Sequence, residues 1–229
     1  MRTIGLLGGM SWESTAVYYR LANELVRERL GGLHSARIVM TSLDFAEVEV
    51  LQATGRWDLA AELLVAEAAR LEAAGADFLV LCTNTMHKVA SAIEESATIP
   101  LLHLGDVTAQ AVLAAGLDTV GLLGTGFTMS EDFYRGRLER HGLQVLVPDE
   151  DAQALVHRVI YDELCRGVVL EESRRAYVEV VDELLGRGAQ GVVLGCTEIE
   201  LLIGPADVSC PTFPTTRLHV EAAVTAALH

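Results

Sequence analysis

Two stretches of this chain repeat each other at an almost fixed spacing, and few folds accommodate such a repeat. Ile4-Gly5-Leu6-Leu7-Gly8-Gly9 returns as Val120-Gly121-Leu122-Leu123-Gly124-Thr125, and Gly75-Ala76 returns as Gly188-Ala189. Leu79-Val80-Leu81-Cys82-Thr83-Asn84 returns as Val193-Leu194-Gly195-Cys196-Thr197-Glu198. From Gly5 to Gly121 is 116 positions and from Cys82 to Cys196 is 114, so the landmarks mark one duplicated unit. In each copy a short apolar run ends at glycine or cysteine and a helical stretch follows, the pattern of parallel β-α-β units. We therefore expect an α/β protein of two pseudo-symmetric, doubly wound lobes with parallel sheets. Residues 1–104 plus 211–229 form the first lobe, carrying Cys82, and 105–210 the second, carrying Cys196. Sheets of this kind bind ligands beyond the carboxyl ends of their strands, which places the expected active site between the lobes.

The local signals fill in this outline. Residues 3–7 read as a strand, and Ser11 caps a helix that has Glu13 in its first turn and stops at Gly31-Gly32. A strand near 37–41, a helix over 57–74 and the strand 78–81 follow, after which Asn84 is placed to cap a helix reaching about residue 94. The second copy gives strands at 119–123, 144–147 and 191–194 and helices at 152–165 and 171–186, with Thr128-Met129-Ser130-Glu131 reading as a capping box. A last helix, 214–228, is expected to return to the first lobe.

Composition removes several functions. A net charge of −15 opposes binding to a phosphate backbone, and 5% aromatic residues leave little for base stacking. Nucleic acid and membrane are not expected partners, because no apolar run is long enough to span a bilayer. Met1-Arg2-Thr3 leads straight into a strand without a secretory pattern, so a cytoplasmic protein with reduced thiols is expected. None of the four cysteines forms a Cys-x-x-Cys pair, and no zinc spacing is present, so no metal is expected. Gly5-Leu6-Leu7-Gly8-Gly9 fits neither phosphate-loop pattern and reads as a tight turn whose backbone N–H groups can meet a carboxylate.

The matched cysteines carry the chemistry. Each lies just past a buried strand and before a helix, where a helix N-terminus is expected to lower the thiol pKa. Two such thiols on opposite sides of a carbon could remove a proton from one face and return one to the other, which inverts a stereocentre. Alternatives are a single nucleophilic cysteine with His87 or His103 as its base, or a two-lobe ligand-binding module without catalysis. Cys165 and Cys210 lack any partner motif and read as small core residues. Ser11, Thr83, Asn84, Thr85, Thr125, Thr128 and Thr197 stand at the same strand ends as caps, ligands or both, and Glu198 is a carboxylate that could hold an ammonium.

Three strings, Gly8-Gly9-Met10-Ser11-Trp12-Glu13-Ser14-Thr15, Cys82-Thr83-Asn84-Thr85-Met86-His87 and Gly195-Cys196-Thr197-Glu198-Ile199, resemble the hallmarks of the aspartate/glutamate racemase family. The resemblance covers essentially the whole chain. It implies amino-acid racemisation, most readily of aspartate or glutamate, by Cys82 and Cys196 as acid and base, without pyridoxal phosphate, metal or other cofactor. It also implies that Met10, Ser11, Asn84, Thr85, Thr125, Thr128, Thr197 and Glu198 line the substrate pocket. Aspartate-specific members place a basic side chain after the second strand, where this chain reads Phe45-Ala46-Glu47-Val48-Glu49-Val50. Arg166 is the candidate substitute and Gln52 a neutral one, so racemisation of other amino acids stays open, as does an isomerase or decarboxylase of the same superfamily. The expected partners are a small amino acid and a second copy of the chain in a homodimer.

Overall fold

A computed structural model describes residues Met1–His229, which form two compact units: Met1–Leu104 with His219–His229, and Gly105–Leu218. The first unit runs β1 (Ile4–Gly8), α1 (Trp12–Leu30), β2 (Ile38–Ser42), α2 (Phe45–Ala53), α3 (Trp57–Ala73), β3 (Phe78–Leu81), a 3-10 turn (Thr85–Val89) and α4 (Ala90–Ser96). Its sheet is parallel in the order β2-β1-β3, with Ile4 opposite both Ile38 and Phe78. The chain leaves β1 for β2 and then recrosses β1 to reach β3, which makes the β1 and β3 carboxyl ends the switch point of the sheet.

Alternation along the strands assigns the two faces of this sheet. Ile4, Leu6, Phe78, Val80 and Cys82 pack with Tyr18, Ala22 and Val26 of α1 and with Val220, Ala223 and Val224 near the chain's end. Leu7, Leu79 and Leu81 pack on the opposite face against Leu64, Ala68 and Leu71 of α3. Both faces of β1 and β3 are thus covered, which is why these strands read as unbroken apolar runs. α1 starts as the sequence indicates, with the Ser14 N–H donating to the Ser11 side chain and Arg27 and Arg29 in the last turn. The predicted elements omit α2, which begins because Asp44 accepts the Ala46 N–H.

The second unit runs α5 (Leu104–Ala114), β4 (Thr119–Gly124), α6 (Gly126–Ser130), α7 (Asp132–Arg140), β5 (Gln144–Leu146), α8 (Glu150–Asp162), a 3-10 turn (Leu164–Arg166), α9 (Glu171–Gly186), β6 (Val192–Gly195), a 3-10 turn (Thr197–Leu201), β7 (Thr212–Pro214) and the start of α10 (Thr215–Leu228), whose residues from His219 onward belong to the first unit. The order β5-β4-β6-β7 is again parallel, and its first three strands repeat β2-β1-β3. Leu123, Val192 and Leu194 bury one face against Val156 and Ile160 of α8 and Val181 and Leu184 of α9. Because β7 pairs with β6, residues after Cys210 stay with the second unit as far as Leu218. The capping box moves as well: Thr125 accepts the Thr128 N–H and starts α6, while Glu131 opens α7. No helix is long and apolar enough to cross a membrane.

His219 closes the first unit. The Tyr18 hydroxyl donates to its Nδ1 at 3.0 Å and its Nε2–H donates to the Leu102 carbonyl at 2.8 Å, so the fully buried ring is neutral. Burial pushes its pKa down to about 4. A folded value below the unfolded one means that stability is lost as pH falls from about 6.5 toward 4, by about 3 kcal/mol at 1.4 kcal/mol per unit. Denaturant titrations from pH 8 to pH 4 should show this loss. In His219→Gln, which is less stable at neutral pH, most of that acid dependence should disappear.

Candidate active site

The strand ends of the first unit are built around a crowded turn. Gly9 has φ +88, and a Cβ there would lie 2.1 Å from the Leu43 nitrogen, so only glycine fits. The Gly9 N–H donates to Thr15 Oγ1 at 2.8 Å, and that hydroxyl donates to the Ser11 carbonyl at 2.9 Å. These bonds fix Met10 and Ser11 beside the end of β1, with Met10 buried. One strand over, the Cys82 N–H donates to the Leu7 carbonyl at 3.0 Å, which seats Cys82 at the tip of β3. Asn84 and Thr85 follow, both buried; Asn84 is helical in φ and ψ and makes no side-chain cap bond, contrary to its predicted role. Gln52 is buried in the same unit and donates to the Met86 sulfur at 3.0 Å.

His87 cannot serve Cys82 as a base in this arrangement. Its Nδ1–H donates to the Thr83 carbonyl at 2.7 Å, and its Nε2 accepts the Leu104 N–H at 3.2 Å. Both ring nitrogens are therefore occupied by backbone. The His103 ring packs edge-on against it, 4.7 Å between centroids.

The second unit assembles the equivalent ends with different partners. Gly124 and Gly195 lie opposite one another, and a Cβ on Gly195 would come 2.8 Å from the Leu123 carbonyl. Thr125 and Thr128 are buried with their hydroxyls 3.2 Å apart. Cys196 is extended, and its thiol donates to Glu198 Oε2 at 2.9 Å. The Thr197 hydroxyl bonds that of Thr216 at 2.8 Å, and Thr215 donates to the Leu194 carbonyl at 2.9 Å. Arg166 is not enclosed with this group: its side chain is 71% exposed and its nearest carboxylate is Asp162, 3.9 Å away. Cys165 on the same turn is exposed and so is no core residue, whereas Cys210 is half-buried and packs against the edge of the second unit's core.

Burial reverses the expected thiol acidity. It pushes the Cys82 thiol far up, and it pushes the Cys196 thiol well above its usual range, with the Glu198 charge and hydrogen bond adding to the rise. The element directly after each cysteine is a five-residue 3-10 turn rather than the first turn of an α-helix, and burial outweighs whatever the turn's N–H groups contribute. Both thiols rest protonated at neutral pH. Cys196 has a carboxylate in contact, whereas Asn84 stands at the matching place after Cys82.

Residues 7–223 match the Asp/Glu/Hydantoin racemase family, nearly the whole chain. The chain belongs to this family. A candidate Asp/Glu racemase from Yersinia pestis is 52% identical over all of both chains with a TM-score of 0.96. An aspartate racemase homologue from Pyrococcus horikoshii OT3 is 32% identical, again over all of both chains, with a TM-score of 0.89. Over 70% of this chain and 69% of its own length, the broad specificity amino-acid racemase RacX of Bacillus subtilis (strain 168) is 22% identical. The protein is thus a racemase, an isomerase, with the two-lobe α/β fold of its relatives.

Three side chains of this racemase escaped the sequence reading: Thr215, Thr216 and Glu200. The pair Thr215-Thr216 directly after Pro214 is a helix-start signal, and both threonines are buried. They tie α10 to the Cys196 turn. Glu200 sits on that turn, its carboxyl accepting the Thr216 backbone N–H, and burial pushes its pKa up to about 7. A folded value above the unfolded 4.5 stabilises the protein below that pH, and the contribution is lost as pH rises through 7. Glu200→Gln should therefore melt higher relative to wild type at pH 9 than at pH 5. The difference should be about 2 kcal/mol, or roughly 5 °C for a chain of this size, read by calorimetry at both pH values.

Proposed function

We propose that this racemase acts on an amino acid by a two-base 1,1-proton transfer, with Cys82 and Cys196 on opposite faces of the α-carbon and no cofactor. The observation that carries this reading is the matched placement of two thiols at the carboxyl ends of β3 and β6, Cys82 buried and Cys196 half-buried and bonded to a carboxylate. Glu198 takes the Cys196 proton as the resulting thiolate removes the α-proton, and the Cys82 thiol gives its proton to the other face. The proton balance closes, because Cys82 ends as a thiolate and Glu198 as an acid, and exchange between them through solvent restores the starting state. Backbone N–H groups at both strand ends, with Met10, Ser11, Asn84, Thr85, Thr125, Thr128 and Thr197 around them, hold the substrate and stabilise charge on its α-carboxylate. Dry surroundings favour this chemistry, since a desolvated thiolate is a stronger base than a solvated one.

Aspartate or glutamate is the first substrate reading, supported by the family and by the likeness to the Pyrococcus aspartate racemase homologue. Broader specificity is the second, favoured by the outward Arg166 and by Lys88, whose ammonium is turned onto the Trp57 ring at 3.9 Å. A neutral Gln52 and the likeness to RacX point the same way. Chiral chromatography of each common amino acid incubated singly in heavy water decides between them. The enantiomer that forms early should carry deuterium at Cα while recovered substrate carries almost none, because two separate bases do not return the proton they remove. Cys82→Ser and Cys196→Ser should each lose about 10³-fold in rate with the fold intact, the scale of a missing general base. Early label in recovered substrate from both enantiomers would overturn the two-thiol assignment.

Glu198 gives a second test. The equilibrium constant between enantiomers is one, so kcat/KM must be equal in the two directions for any variant. Glu198→Gln keeps the shape but cannot take the Cys196 proton, and should lower kcat/KM about 10²-fold equally from both enantiomers. A wild-type rate in this variant, measured by polarimetry, would remove Glu198 from the mechanism.

A further inference from the structure

We propose that His157, on α8, is a positioning residue of the second-lobe site: its neutral ring accepts the Gly126 N–H and so fixes the turn that carries Thr125 and Thr128. This rests on the reading of those two threonines as substrate-lining residues. The contact is Gly126 N to His157 Nδ1 at 3.1 Å. Gly126 follows Thr125 directly, and Thr125 accepts the Thr128 N–H, so one ring nitrogen holds the first link of the turn. The ring lies close enough to the backbone that a Cβ at Gly126 would meet Nδ1 at 3.4 Å. Tyr161 supports the ring, with centroids 4.7 Å apart. Beyond it lies a cavity of about 360 Å³ lined by Phe127, Glu131, Gln153 and His157 among others.

An acceptor at Nδ1 requires the proton to sit on Nε2. A second proton would bring an N–H against the Gly126 N–H, two donors facing each other, and the bond would be lost. The surroundings keep the ring neutral over a wide range. α6 and β4, packed against α8, carry no titratable side chain, and Glu131 lines the same cavity as His157. On α8 itself Arg158, Tyr161 and Asp162 are the neighbours; at the next turn stand Cys165 and Arg166, and on α9 the first charged groups are Glu171 and Glu172. Burial lowers the His157 pKa and Asp162 partly restores it. Acid is therefore the condition that should release the turn.

Two variants separate this role from a structural one. His157→Asn sets an amide oxygen in the place of Nδ1 and cannot be protonated in this range, whereas His157→Leu fills the space without an acceptor. In wild type, kcat/KM should fall as His157 protonates below pH 6.5, mainly through a rise in KM, and the Gly126 amide resonance should move with the same midpoint in ¹⁵N–¹H spectra. His157→Asn should keep the neutral rate and lose that acid limb. In His157→Leu a loss of about tenfold at all pH values is expected, the scale of one hydrogen bond to a backbone donor. An unchanged rate and profile in both variants, or a Gly126 amide indifferent to His157 titration, overturns the proposal. Should wild type racemise no amino acid while the amide still titrates with His157, the hydrogen bond stands and it is the racemase reading that has failed.

Discussion

Desolvation sets the resting state of the two matched thiols, because a cysteine drawn out of water holds its proton more tightly. Cys82 lies in the apolar layer formed by Ile4, Val80 and Tyr18, and Cys196 touches the second core at its edge. Glu198 accepts a hydrogen bond from the Cys196 thiol at 2.9 Å, and its charge adds to the rise that burial gives that thiol. A thiol held this way is neutral at rest.

The scaffold that presents these thiols uses one device twice. At the end of each central strand a glycine gives way to a threonine from the following segment: a Cβ on Gly8 would meet Thr15 at 2.4 Å, and one on Gly124 would meet Thr128 at 3.0 Å. The absent side chain lets the threonine stand over the strand end. In the first unit its hydroxyl bonds the Gly9 N–H, and in the second it pairs with Thr125. Backbone and hydroxyl groups thereby meet beside a buried parallel strand, where no water is needed to satisfy them.

Much of this was legible in the residues. Strand alternation, the Ser11 cap and the three-strand repeat follow from apolar runs and glycine positions, and the structure gives β2-β1-β3 and β5-β4-β6. What escaped was decided by contacts distant in sequence. Asn84 has the composition of a cap, yet its backbone is already helical because the 3-10 turn begins at Thr85 and is held by His87 reaching the Thr83 carbonyl. His157 lies among ordinary helix residues, and only folding brings it to Gly126. The thiol acidity was misjudged for a related reason: position relative to a helix is written in the sequence, whereas the depth of burial and the length of the helical turn are not.

Duplication explains the symmetry of the strands, but the side chains around the thiols have diverged. In the first unit a histidine with both nitrogens bonded to backbone locks the turn after Cys82, and an amide occupies the place of the carboxylate. In the second, Glu198 holds the thiol directly and Thr215 and Thr216 hold the turn from α10. Thermodynamics requires equal kcat/KM for the two enantiomers, yet it does not require equal kcat or equal KM. Two unlike thiol environments on one repeated frame are therefore compatible with a two-way reaction in which the resting protonation state favours one direction of entry, set by the carboxylate beside Cys196 and the amide after Cys82.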